Sequence, residues 1–319
     1  MKRLLYILLV VACASCHSQV EENPKTIHTC QESPQGRASG MCFAMDSTVY
    51  VVGGRTQDGT FPKTMLIYDA RQDKWTESTP LPIAARVKGT VCVTEQGVFM
   101  GLGWAGGTIH NDSLYLRDWW RYDPKSDTWT QLADFPTDKT SGAVCWSNGE
   151  QIWVASGFHE FTNDIWRYEI GSNKWTKASE ESPARVMAPV AATCQGRYFY
   201  GTGFYQKSRS GWWEWTEDGR WTRRKDVPGK GRHNAACAAT DKAVWVIGGW
   251  HYGDTLTTGF YYEDILRYDP TTDRWTLCGT LPCGTMENGI AAGIGNRIYF
   301  GLGEDKKGTI HKAWYYIED

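Results

Sequence analysis

The sequence predicts an all-β chain in which six similar units close into a ring, and three observations carry that prediction. A strand-like run ending in one or two glycines recurs at residues 49–54, 98–103, 152–157, 198–203, 244–249 and 298–303. After each run comes a Leu/Trp-x-aromatic step, and in the first five units an acidic turn and a lone tryptophan follow. No stretch carries a helical apolar period; alternation, glycine and turn residues dominate instead. A unit repeated at this spacing is an array of one supersecondary element, so the repeat decides the fold before any local propensity is weighed.

The front of the chain stands apart from the repeat. Lys2 and Arg3 precede an apolar run over 4–12 that is too short to span a bilayer as a helix. It ends in Val11-Ala12-Cys13-Ala14-Ser15-Cys16, which resembles the lipobox of bacterial lipoproteins. That resemblance implies export, cleavage and lipid attachment at Cys13 or Cys16, with anchoring to the outer membrane on its periplasmic or outer side. The signal is assigned to residues 1–16, a polar tether to 17–25 and the folded body to 26–319.

Removing residues 1–15 takes Lys2 and Arg3 from the 34 basic residues and none of the 36 acidic ones, so the formal net charge moves from −2 to −4. Mild acidity argues against a nucleic-acid partner. Eight cysteines remain beyond the signal. Cys42, Cys92, Cys145 and Cys237 recur on one kind of strand and read as small buried side chains near an axis, while Cys278 and Cys283 flank a turn that a disulfide is able to bridge. With no CxxC pair and no His/Cys cluster beyond the signal, neither a metal nor a cofactor is expected.

Each unit divides into four strands. Strand A is expected at 40–45, 89–94, 142–147, 188–193, 235–239 and 289–294. Strand B carries an aromatic at one position, Tyr50, Phe99, Trp153, Phe199, Trp245 or Tyr299, and its final glycines permit a sharp turn. Strand C carries Leu66-x-Tyr68, Trp120-x-Tyr122, Trp166-x-Tyr168, Trp213-x-Trp215, Leu266-x-Tyr268 and Trp314-x-Tyr316. Strand D begins at Trp75, Trp129, Trp175, Trp221 and Trp275, each after an Asp/Asn-rich turn. This grammar resembles the Kelch family, which implies a six-bladed β-propeller of four-stranded antiparallel blades. The last unit lacks strand D. Counting back from Pro34 puts the missing strand at 27–30, so an N-terminal strand is expected to close the last blade and remove an open edge.

Twelve of the 17 tryptophans fall in these scaffold positions; Trp104, Trp119, Trp146, Trp212 and Trp250 do not. Strand alternation puts the D–A turns and B–C loops on one face. A basic position precedes strand A in five units, Arg37, Arg86, Lys139, Arg185 and Arg232, with Met286 in the sixth. These are expected either to rim the central opening and attract an anion or to pair with nearby carboxylates. The Kelch resemblance implies ligand contacts at this position. A second set follows the glycines: Trp104, Phe158, Phe204 and Trp250, with polar neighbours that include His159, Glu160, Tyr205, His251, Tyr252 and Asp254. These aromatics either stack on a sugar ring or plug the tops of the blades. The B–C loops of units two and five are the longest and stand opposite each other, as walls of a cleft.

No nucleophile elbow, metal-ligand spacing or phosphate loop is present, and no catalytic residue is assigned. The expected function is binding of a carbohydrate, an anionic small ligand or a protein partner on the loop face, with membrane contact only through the lipid anchor. More distantly, the chain resembles the N-acetylneuraminate epimerases (mutarotases). That resemblance implies a sugar-epimerising alternative in which Arg185, Arg232, His233, Glu160 and His251 supply acid, base and carboxylate-holding roles.

Overall fold

In the computed structural model of the chain, the described residues are 20–106, 114–137, 140–159, 162–216, 218–253 and 258–319. Residues 1–19, with Cys13 and Cys16, lie outside them, as do Lys139, Glu160 and Asp254. The described residues form six four-stranded antiparallel blades and no α-helix. Strands A of successive blades touch all the way round, so the sheet set closes into a six-bladed β-propeller with A innermost. Blade one is Met41–Met45, Thr48–Val52, Met65–Asp69 and Lys74–Glu77. The last blade joins Ile290–Ile294, Arg297–Gly301 and Trp314–Glu318 to Ile27–Thr29, paired antiparallel as Ile27↔Ile317, His28↔Tyr316 and Thr29↔Tyr315. The N-terminal strand therefore closes the ring. The expected tether is partly held as well, because Glu21–Glu22 adds in parallel to the outer strand of blade five.

Main-chain hydrogen bonds stitch the blades in two rings. The amide of each blade's last glycine donates to the next blade just before its strand A: Gly54 to Arg86 O, Gly103 to Thr140 O, Gly157 to Val186 O, Gly203 to Arg232 O, Gly249 to Met286 O and Gly303 to Arg37 O, at 2.8–3.0 Å. Two residues further on, six amides donate around the axis, Ser39 to Asn288 O, Asn288 to Asn234 O, Asn234 to Ala188 O, Ala188 to Gly142 O, Gly142 to Lys88 O and Lys88 to Ser39 O, at 2.7–3.3 Å. All six donors have positive φ. That backbone turns every amide toward its neighbour, which satisfies groups that would otherwise be buried unpaired.

The acidic C–D turns have a similar use. Asp73, Asn173 and Asp273 sit at positive φ, and each Oδ1 accepts both the hydroxyl of its own blade's tyrosine (Tyr68, Tyr168, Tyr268; 2.8–2.9 Å) and a main-chain amide of the adjoining blade (Gln31, Ala133, Lys225). The strand D tryptophans add a donor across the same seam: Trp75, Trp175, Trp221 and Trp275 each hydrogen-bond a carbonyl of the preceding blade at 2.8–3.0 Å.

Three tryptophans that lacked a place in the repeat prove to be core. Trp119 and Trp212 open strand C in blades two and four and are fully buried, and Trp146 is buried on strand A of blade three. Trp314 opens strand C of blade six, so the step there is Tyr315-x-Ile317, one residue beyond the expected Trp314-x-Tyr316. Trp119, Trp212 and Trp314 face Gly101, Gly201 and Gly301 across the B–C ladder. In blades one, three and five the same pair is Val52–Met65, Ala155–Ile165 and Ile247–Ile265. The Gly-x-Gly of even-numbered blades thus exists because a Cβ on its first glycine would collide with strand C backbone and the tryptophan ring. All eight described cysteines are free, Cys278 and Cys283 included. Cys42, Cys145 and Cys237 line the axial channel, and burial pushes the Cys237 thiol up to about 12.

Candidate functional site

The basic position before strand A is a structural slot rather than a rim. Arg37, Arg86 and Arg232 are at most 1% exposed. Each sends Nη1 to the carbonyl sixteen residues on, at the end of its own strand B: Gly53, Leu102 and Gly248, at 2.9–3.0 Å. Each then meets a carboxylate. Arg86 and Arg232 make bidentate pairs with Asp118 (2.8 and 2.6 Å) and Asp264 (2.6 and 2.8 Å), the residues that precede strand C's first apolar side chain. Arg37 bonds Glu77 and Thr64, both at 3.0 Å. Arg232 also lies 3.7 Å over the Tyr262 ring. These buried charges are paired internally, although Nε of Arg37 and of Arg232 has no partner among the described residues, and they are not presented at the rim.

The register of the other two expected members is off by one. By the glycine-amide bonds, the aligned residues in blades three and four are Thr140 and Val186, with Met286 in blade six. Arg185 precedes its slot and is exposed, and among the described residues it has no acidic partner. What borders the axial mouth is instead Ser39, Lys88, Gly142, Ala188, Asn234 and Asn288. Lys88 is the one cation there and donates to Asn234 Oδ1 at 3.0 Å.

The residues after the glycines do occupy one common position, each bridged to the strand just before A: Arg55 to Ala38, Trp104 to Val87, Phe158 to Ser141, Phe204 to Met187, Trp250 to His233 and Glu304 to Glu287. They do not converge on a cavity. Trp104 packs edge-on to Phe61 (6.1 Å), Phe158 lies 6.1 Å from Tyr115, and Phe204 and Trp250 sandwich His233, each with centroids 5.1 Å away. Arg55 pairs with Glu304 at 2.5 Å. His159 is on the same short strand as Phe158. Burial, and then the charges of Lys88 and His251, hold the His233 imidazole down at about 3; its Nδ1 lies 3.0 Å from Ser208 Oγ, which accepts the Tyr252 amide.

A cleft of about 720 Å³ opens on the same loop face, over blade four, where the slot is vacant. Val186 is short, and the aspartate of blades two and five is replaced by Gly211, whose Cβ would run into the Trp213 ring. Five cationic side chains line this cleft: Arg185, Lys207, Arg209, Arg223 and Lys230. Arg223 lies 4.7 Å over Trp213 and bonds Asp226; Arg209 donates to Tyr205 O at 3.2 Å. Tyr205, Trp213 and Tyr252 supply aromatic surface, and among the described residues no carboxylate lines the wall.

His251 Nδ1 donates to Gly231 O at 2.9 Å, and the buried atoms His251 Nε2 and Asn163 Oδ1 have no partner among the described residues. The arrangement thus holds cations for an anion and flat rings for an apolar face. Of the residues expected on the ligand face it brings together Arg185, Tyr205, His251 and Tyr252. Lys207, Arg209, Trp213, Arg223 and Lys230 escaped notice, although the loop Lys207-Ser208-Arg209-Ser210-Gly211 is dense in cations and small residues. The expected cleft between the long loops of blades two and five is not described, since 107–113 and 254–257 lie outside the described residues.

The Kelch motif matches residues 42–82, 105–136 and 231–282. These segments fall on blades one, two and five, the three whose slots hold arginine. Among curated relatives, Kelch-like protein 25 of Xenopus tropicalis is 28% identical over 130 residues, covering 40% of this chain and 22% of the relative. Kelch-like protein 35 of Mus musculus is 26% identical over 117 residues, covering 37% and 18%. Kelch repeat and BTB domain-containing protein 2 of Homo sapiens is 26% identical over 119 residues, covering 36% and 16%. The matched segments thus span about a fifth of those relatives' length. Among solved structures, that of YjhT superimposes with a TM-score of 0.72 at 17% identity, covering 91% of this chain and 95% of that one, and shares the fold. The motif matches and the Kelch-like relatives, falling on a closed six-bladed ring, support a Kelch-repeat family for this chain.

Proposed function

We propose that this protein binds an acidic carbohydrate in the cleft over blade four. The observation that carries the reading is that five cationic side chains line the cleft, with no carboxylate among its described residues. Guanidinium and ammonium groups hold a sugar carboxylate, and the three rings accept its C–H face. A ring stitched by main-chain bonds holds these loops in place before the ligand arrives, which lowers the ordering cost of binding. Calorimetric titration with N-acetylneuraminate and glucuronate, against their neutral amides, tests the reading. Binding of the acids, weakened by salt and at least about tenfold poorer for the amides, supports it. Equal affinity for acid and amide contradicts it.

A second reading, a mutarotase acting on the same sugar, draws on His251, an imidazole that lines a cationic cleft. Saturation-transfer NMR of anomeric exchange decides it: acceleration lost in His251→Gln favours catalysis, and unchanged exchange removes it. We also propose export and lipid anchoring at Cys13 or Cys16, on the sequence of residues 2–16. Metabolic labelling with a fatty acid should be lost in Cys13→Ser or in Cys16→Ser; label retained in both variants contradicts the anchor.

A further inference from the structure

Blade three keeps the arginine slot but not the arginine. In blade five the Arg232 guanidinium is held by Gly248 O, by both oxygens of Asp264 and by Pro228 O (3.0 Å). Blade three presents the same acceptors in the same register. Ser156 O stands sixteen residues after Thr140, as Gly248 does after Arg232, and accepts Thr140 Oγ1 at 2.9 Å. Asp164 immediately precedes Ile165, as Asp264 precedes Ile265, and Pro136 stands four residues before Thr140, as Pro228 stands before Arg232. Thr140 reaches Ser156 O but is too short to reach Asp164 or Pro136 O. What remains is a cavity of about 340 Å³ bordered by Pro136, Thr140, Ser156, Asp164 and Trp166. Lys177 reaches Asp164 Oδ1 at 2.8 Å from the outer strand, but its side chain is 55% exposed. Oδ2 has no partner among the described residues.

We propose that blade three is a receptor for a guanidinium group supplied from outside the chain. The group is either the arginine side chain of a partner protein or a free guanidinium compound. It takes the place that Arg86 and Arg232 fill in their own blades: a planar cation bonded in two directions by Asp164 and the Ser156 carbonyl, beside the Trp166 ring. This inference is independent of the acidic-sugar reading, because it concerns the neighbouring blade and the opposite charge.

The test is calorimetric titration of the full chain with methylguanidinium, with agmatine and with a capped Gly-Arg-Gly peptide. Urea serves as the neutral isostere, and none of these probes carries a carboxylate for the blade-four cleft. The guanidinium probes should bind and urea should not. Asp164→Asn should weaken them at least about tenfold. Thr140→Arg should fill the slot from within, abolishing binding and raising the melting temperature. A peptide that binds tighter than agmatine points to a protein partner, and the reverse to a small compound. The proposal is overturned by no binding to the wild-type chain, or by affinity unchanged in both Asp164→Asn and Thr140→Arg. Binding that appears only in Lys139→Ala also overturns it, for then the chain's own lysine fills the slot.

Discussion

Blades two and five differ from blades three and four in one slot beneath the loop face, and that slot separates where the molecule is solid from where it is open. In blades two and five an arginine and an aspartate meet beneath the loop face and close the space between the end of strand B and the start of strand C. In blade three the arginine is threonine and the aspartate stays; in blade four the arginine is valine and the aspartate is glycine. The cavities of about 340 and 720 Å³ lie over those two blades. A repeat protein can thus make a site by removing a scaffold side chain rather than by adding a functional one. What is left takes its charge from the residues that remain, acidic over blade three and basic over blade four.

The largest expected effect sets the filled slot against the vacant one. Asp264→Ala strands Arg232, which is fully buried, and should cost about 3–5 kcal/mol. Asp164→Ala removes only a bond to an exposed lysine and should cost less than about 1 kcal/mol. Denaturant unfolding of the two variants measures both, and equal losses would break the comparison.

Next comes the alternation between even-numbered and odd-numbered blades. Gly201→Ala in blade four drives a methyl against the Trp212 ring and should cost about 1–3 kcal/mol, whereas Ile247→Val at the matching place in blade five should cost about 0.5–1.5 kcal/mol. A Gly201→Ala variant as stable as the wild type would refute the steric reason for the Gly-x-Gly.

A smaller effect depends on pH. His233 is buried beside Ser208 and held neutral down to about pH 3, while its unfolded counterpart takes up a proton near 6.5. The unfolded state therefore binds more protons as the pH falls below 6.5, and stability drops by up to about 1.4 kcal/mol per pH unit until the folded group titrates. Relative to the wild type, His233→Gln should lose less stability between pH 6.5 and 4, and parallel curves would show that His233 does not titrate on unfolding.

Much of the fold was legible in the sequence because repetition carries it. The glycines, the spaced tryptophans and the unfinished last unit were enough to predict six blades and a closing strand near Ile27. The site was legible only in outline. Arg185, Tyr205, His251 and Tyr252, expected on the loop face, line the candidate cleft, while Arg37, Arg86 and Arg232 follow the alternative of pairing with carboxylates. The slot follows the preceding blade's strand D tryptophan by eleven residues in blades two to six, and the bonds from Gly103 and Gly157 agree in placing it at Thr140 and Val186, one residue beyond Lys139 and Arg185. Sites made by a missing side chain leave a weak mark in a sequence: Val186 and Gly211 look like ordinary small residues until the neighbouring blades show what belongs in their place.

The account rests on the vacated blade-four slot being a site for an acidic sugar, and its most direct test is titration of N-acetylneuraminate into the wild type and an Arg185→Glu, Lys230→Glu double variant. Both side chains are exposed, so the melting temperature should not move. The account predicts that affinity falls by about a hundredfold or more while the fold is unchanged. Wild-type affinity in the double variant would contradict it.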